Sequence, residues 1–279
     1  MNEAIGLAAF LAAARGLYYA ATMLLFGDLV FSLLIHAKLP VIVPPQDMRR
    51  RWSALVTAAG AGLLWLVLAA QQMAGAIDLP ALMQTVTATL FGQLFLARIA
   101  ALAALAVVLR RARLAAPLAL AALALPAATS HAAASSPAGF TVLGASLDAA
   151  HLATGGFWLG GLAVLLQLHR RNERNILLAL SLFSEWAMIA VLLLVMTGLI
   201  DGASILLGDP GQPSRLYLGV LGAKLALVAC MLGLAAVNRF QLMPQGRDQI
   251  IARNAKLELG AGVIVVLLAG ALGQLQPTL

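Results

Sequence analysis

The stretch Ile176–Ile200, ILLALSLFSEWAMIAVLLLVMTGLI, decides the fold class. It runs for 25 residues with one charge, Glu185, and its apolar positions do not alternate with polar ones. A bilayer-crossing helix needs roughly 20 apolar residues. A lipid-facing segment must also satisfy its own backbone hydrogen bonds, so a long, Leu-rich, non-alternating run is a helix and not a barrel strand. The rest of the 279-residue chain is built alike: 62% of residues are apolar and 10% charged, against about 25% charged in soluble domains. With mean hydropathy at +0.95, too few polar side chains exist to cover a water-exposed surface. A soluble enzyme, a disordered chain and a disulfide-stapled secreted domain are excluded. The one cysteine, Cys230, lies in an apolar run and leaves no internal disulfide to form.

Working outward, the composition predicts an all-α polytopic membrane bundle of eight transmembrane helices in one domain, 1–279. The spans fall at about 5–35, 54–75, 86–109, 114–129, 146–168, 176–200, 215–237 and 257–275. No basic region precedes the first span, so it reads as part of the fold and not as a cleavable signal. Charge in the connections alternates. Lys38 and Arg49–Arg51, Arg110–Arg113, Arg170–Arg174, and Arg239 with Arg247, Arg253 and Lys256 bring 14 of the 18 Lys and Arg residues to one side. The positive-inside rule puts those loops in the cytoplasm and both termini in the periplasm. The surplus of +7 is thereby read as loop charge beside the lipid bilayer, and no nucleic-acid partner is expected.

Charges at bilayer depth each need a partner or a task. Arg15, Asp28, Arg98, Asp148, Glu185, Lys224 and Glu258 stand in or at the edge of apolar segments. Mutual pairing inside the bundle is one reading; a polar track for an ion is the other. In the fifth span, Asp148, His151, Gly155, Trp158 and Leu162 follow helical spacing and form one stripe, with Asp148 and His151 at its outer end. Gly156 and Gly160 form a small-xxx-small pair that admits a close neighbour. His131 stands in the loop before this span, at similar depth to His151, so the two imidazoles can converge. Imidazoles bind copper and zinc, and added thioethers favour copper; Met73, Met83 and Met196 fall at outer ends. Met also fills apolar gaps, and an outer His also serves as a polar residue at the membrane rim. His36 and His169 border basic loops and read as inner-interface residues.

These motifs resemble the copper-resistance D family (CopD/PcoD). SHA (Ser130–Ala132) followed by DAAHLATGGFWLGGL (Asp148–Leu162) is similar to its outer-loop histidine and D-x-x-H…W-x-G-G pattern. LFSEWAMIAVLLLVMTGL (Leu182–Leu199) resembles its serine-containing helix ending in T-G. LYLGVLGAKLALV (Leu216–Val228), NRFQLMP (Asn238–Pro244) and Glu258 resemble its tyrosine–glycine and lysine helix, its N-R-x-x-L-x-P turn and its last-helix glutamate. The detailed likeness covers roughly 129–275, and the first four helices match in number and topology. Glu185 and Trp186 depart from the pattern, and a fused periplasmic copper-binding domain is not expected.

The resemblance implies a bacterial inner-membrane, multi-pass protein of copper homeostasis or resistance, and not an enzyme. It would capture copper at the periplasmic face from a separate CopC-like carrier and pass it inward. The implied ligands are His131 and His151, with Asp148 as third ligand or orienting partner, Met73, Met83 or Met196 as thioether donors, and Trp158 packing or gating beneath. No phosphate-binding loop G-x-x-x-x-G-K-[ST] occurs, so transport would run down a gradient or couple to an ion through Asp28, Glu185, Lys224 or Glu258. Two alternatives stand beside this. One is a haem b electron-transfer protein with His131 or His151 as axial ligands. The other is a non-transporting membrane partner of a periplasmic copper carrier.

Overall fold

The computed structural model describes residues 2–39, 48–129, 141–171, 176–207, 211 and 214–275. Among these, the chain forms helices and no strand. They are α1 (Asn2–Leu34), α2 (Met48–Ala74), α3 (Leu79–Ala88), α4 (Leu90–Val108), α5 (Ala112–Ala124), α6 (Thr141–Arg170), α7 (Ile176–Leu207), α8 (Arg215–Val237) and α9 (Asp248–Leu272). Seven of them, all but α3 and α5, are long and apolar enough to cross a bilayer. The expected fourth span is the short one. Its helix has 13 residues with Pro117 inside it and runs on as the 3-10 turn Leu125–Thr129. At 1.5 Å per residue, 13 residues rise only about 20 Å.

Helix α3 was expected as loop. Asp78 accepts the Ala81 backbone N–H at 2.9 Å, and Thr89 does the same for Gly92, so two caps make two helices of what reads as one span plus its approach. The last helix also begins earlier than expected, at Asp248, which places Glu258 well inside it.

Helix α1 is the axis of the bundle and packs against α2, α5, α6 and α9, whereas α7 leans on α6 and α8 on α9. Two-thirds of the apolar window of α1 is buried, against 6% of that of α8. Lipid offers no hydrophobic drive between helices, so close approach rests on small residues. Gly27 of α1 meets Gly156 and Gly160 of α6, where a Cβ on Gly160 would stand 2.9 Å from the Leu24 carbonyl oxygen. The small-xxx-small pair expected from sequence is therefore the α1–α6 crossing.

Side-chain contacts fix the two ends. At one, Arg51 donates to Asp28 from Nε at 2.9 Å and Nη2 at 2.7 Å, and to the Leu109 carbonyl at 3.3 Å. Arg50 donates to the other Asp28 oxygen and to Gln167 of α6. These arginines were expected in a connecting loop. They lie in the first turn of α2 and turn back into the bundle, because Asp28 is 3% exposed and needs the compensation. At the opposite end, Arg15 donates to the Gly273 carbonyl at 3.2 Å and Tyr18 to that of Ala122 at 2.5 Å. The starts of α2 and α9 and the ends of α4 and α6 thus share one end, which carries the arginine-rich connections.

Candidate functional site

Helix α6 carries the functional stripe. Near its start, His151 Nδ1 stands 3.0 Å from Thr197 Oγ1 of α7. The Thr197 hydroxyl has one hydrogen, and the Leu193 carbonyl at 2.8 Å takes it. Thr197 Oγ1 therefore accepts from His151 Nδ1–H, and this tautomer leaves the Nε2 lone pair as the basic nitrogen. Orientation of one ring nitrogen by a second residue is how metal-binding imidazoles are held. The next residue explains the T-G pair: a Cβ on Gly198 would stand 3.0 Å from His151 Cε1, so the glycine makes room for the ring.

Around this imidazole lie charges from three helices. The Asp148 carboxyl of α6 hydrogen-bonds with that of Asp201 of α7, and the Lys224 ammonium of α8 is the electrostatic neighbour of both and of His151. An ammonium near two carboxyls offsets part of the cost of charges that are partly desolvated.

Two turns along the stripe, buried Trp158 donates its indole N–H to Glu258 of α9. Glu258 also accepts from Asn238 Nδ2 at 2.7 Å, and Asn238 Oδ1 accepts from Asn254 Nδ2 at 2.7 Å. Asn238 is aimed there by a π-turn over Asn238–Leu242, in which the Met243 N–H bonds to the Asn238 carbonyl at 2.9 Å. The same turn points Arg239 at Ser184 of α7, where it donates to the hydroxyl. The N-R-x-x-L-x-P motif is thus a device that delivers an amide and a guanidinium to the bundle. Trp158, Leu162, His169, Phe183, Arg239 and Glu258 line a cavity of about 230 Å³ between α6, α7, α8 and α9. At its mouth, His169 Nδ1 stands 3.9 Å from an Asp248 oxygen. The stripe from Asp148 through His151, Trp158 and Leu162 to His169 therefore joins a charged cluster to a largely apolar cavity with a polar floor.

The structure brings together His151, Asp148, Lys224, Trp158 and Glu258 along this line. His131 lies outside the described residues. Met73, Met83 and Met196 sit on outward faces of α2, α3 and α7, each about half exposed, and Glu185 is also exposed. Among the described residues, mutual attraction within the seven intramembrane charges is seen for Asp148 with Lys224: Asp28 takes its cations from α2, and Arg15 and Arg98 stack on aromatic rings. Sequence reading missed Asp201 and Asn254 and gave His169 little weight, as an inner-interface residue; only contacts across helices single them out. Among the described residues, no group of three or more His, Cys, Asp or Glu side chains is arranged to hold a metal ion.

Bilayer-length apolar helices with charged clusters buried between them define a helical multi-pass membrane protein. Two family models match it: the N-terminal domain of copper resistance protein D-like proteins over residues 1–139, and copper resistance protein D over 177–272. The chain belongs to the copper resistance protein D family. It is 32% identical over 151 residues to "Copper resistance protein D" of Pseudomonas syringae pv. tomato, covering 47% of this chain and 49% of that protein. It is 30% identical over 132 residues to "Copper transport protein CutJ" of Bacillus subtilis (strain 168), covering 46% of this chain and 24% of that protein. The matches thus span about half the length of one relative and a quarter of the other. No solved structure matches. The likeness extends through the first half of the chain, where the sequence motifs gave only number and topology. Neither the family nor the relatives' names support the haem alternative.

Proposed function

We propose that this protein is a copper transporter of the bacterial inner membrane, serving copper homeostasis or resistance, and not an enzyme. Copper is cargo. It arrives from a separate periplasmic CopC-like carrier, is taken up at His151 Nε2 with Asp148 beside it and His131 from the preceding loop, and moves along the α6 stripe toward the cavity behind Trp158. The observation that supports this reading is the Thr197–His151 hydrogen bond, which leaves a basic imidazole nitrogen on the helix stripe that leads to the cavity at Trp158. In this reading α5 with its 3-10 extension makes the eighth crossing, both termini are periplasmic, and the arginine-rich end faces the cytoplasm. Lys224 and Glu258 stand on the path and are the groups available for ion coupling. Asp28 is engaged by Arg50 and Arg51, and Glu185 faces outward.

Copper flux into sealed inside-out and right-side-out vesicles tests it. His151→Ala is expected to lower uptake about tenfold or more, and Thr197→Val, which removes the tautomer-setting acceptor, to lower it less. Such partners of a metal-binding His are commonly worth 10–100-fold. Uptake unchanged by His151→Ala in protein of normal abundance would overturn the assignment.

A further inference from the structure

We infer that the aromatic cage around Arg98 is a binding site for a small monovalent anion such as chloride. Arg98 of α4 is 1% exposed, and its guanidinium lies 4.8 Å from the Trp65 ring centroid, 5.2 Å from Phe91, 5.6 Å from Phe95 and 5.9 Å from Tyr18. Its Nε donates to the Leu94 carbonyl at 3.3 Å, but Nη1 and Nη2 are buried without any hydrogen-bond partner. A second cation approaches the same indole: Arg15 lies 5.6 Å from the Trp65 centroid and 5.8 Å from Tyr19, and its Nε is likewise buried and unmet. Both guanidiniums being so near one ring, they are no more than roughly 10 Å apart, close enough to repel through a low-dielectric interior.

Rings offset part of the charge through their faces. They do not accept the in-plane N–H donors, and a buried donor left unmet is costly. Among the described residues, no acceptor meets Nη1 or Nη2. The acids with described side chains are engaged elsewhere or exposed: Asp28 by Arg50 and Arg51, Asp78 by its cap, Asp148 and Asp201 by each other, Asp248 by His169, Glu258 by Asn238, and Glu185 on an outward face. Two neighbouring cations and four unmet Nη hydrogens suit a small, weakly hydrated anion. This site shares no residue with the α6 stripe, so it stands or falls independently of copper transport.

The test uses the full chain, purified in lipid nanodiscs, and bromide as a heavy-atom quencher of tryptophan fluorescence at constant ionic strength against gluconate. Trp65 and Trp158 are buried while Trp52 and Trp186 are exposed, so the exposed pair gives a linear background. Expected is a saturable phase above that background, competed by chloride, absent in Trp65→Phe and shifted by about thirtyfold or more in Arg98→Gln. Arg15→Gln, a milder change at a half-buried side chain, serves if Arg98→Gln fails to fold, and is expected to weaken the same phase. Purely linear quenching of the wild-type protein overturns the proposal. So does a saturable phase that survives Trp65→Phe.

Discussion

Replacing Asp28 by Asn removes one negative charge and almost no volume from the best-buried ionic cluster in the bundle. The carboxylate accepts four N–H bonds, two from Arg51 and two from Arg50, with Asp28 3% and Arg51 0% exposed. An amide can keep one oxygen toward one arginine. Its NH2 then points at the donors of the other, so that arginine loses both bonds. At about 1.5–3 kcal/mol per charge-assisted bond, two lost bonds come to about 3–6 kcal/mol, in line with the ~3–5 kcal/mol seen when one partner of a buried pair is removed. The assay is reversible unfolding in mixed micelles by SDS titration, followed by circular dichroism. Asp28→Asn is expected to lose about 3–5 kcal/mol, and the double variant Asp28→Leu/Arg51→Met to regain most of it, because well-packed apolar replacements of buried ion pairs are often neutral. A loss under about 1 kcal/mol for Asp28→Asn would refute the reasoning, since it would mean that water reaches the cluster and screens it.

Two further outcomes follow from the same packing and charge arguments. Gly160→Leu should separate α1 from α6, cost about 3 kcal/mol or more and lower the yield of folded protein, while Gly219→Ala, where nothing lies within 4 Å of the added Cβ, should leave micelle unfolding unchanged; equal effects would refute the crossing. Lys224→Met leaves Asp148 and Asp201 facing one another without their cation, and both membrane abundance and copper uptake should fall; normal values of both would show that the ammonium is not needed.

Much of the bundle was legible because lipid imposes one rule everywhere: an apolar run long enough to cross must be a helix. The bounds of α8, the stripe on α6 and the Gly156–Gly160 seam all follow from spacing within a single helix, which a sequence displays directly. The shortness of α5, the capped α3 and the early start of α9 were not legible. They depend on the change to a 3-10 turn at Leu125, on the caps Asp78 and Thr89, and on a polar first turn that hydropathy reads as loop.

The candidate site divides in the same way. His151, Asp148, Trp158 and the T-G pair could be marked because they recur at helical intervals or in a short motif. Asp201, Asn254 and His169 could not, since each gains meaning from a partner on another helix. The charges divide most sharply. The sequence by itself determined that they sit in apolar segments, hence that each needs compensation, because hydration is lost at that depth whatever the neighbours are. Only the tertiary structure decided how: Asp28 clamped by two arginines reaching back from α2, Lys224 brought near the carboxyls of Asp148 and Asp201, and Arg98 against four aromatic rings. Pairing is a property of distance between helices, and no pattern along one chain encodes that distance.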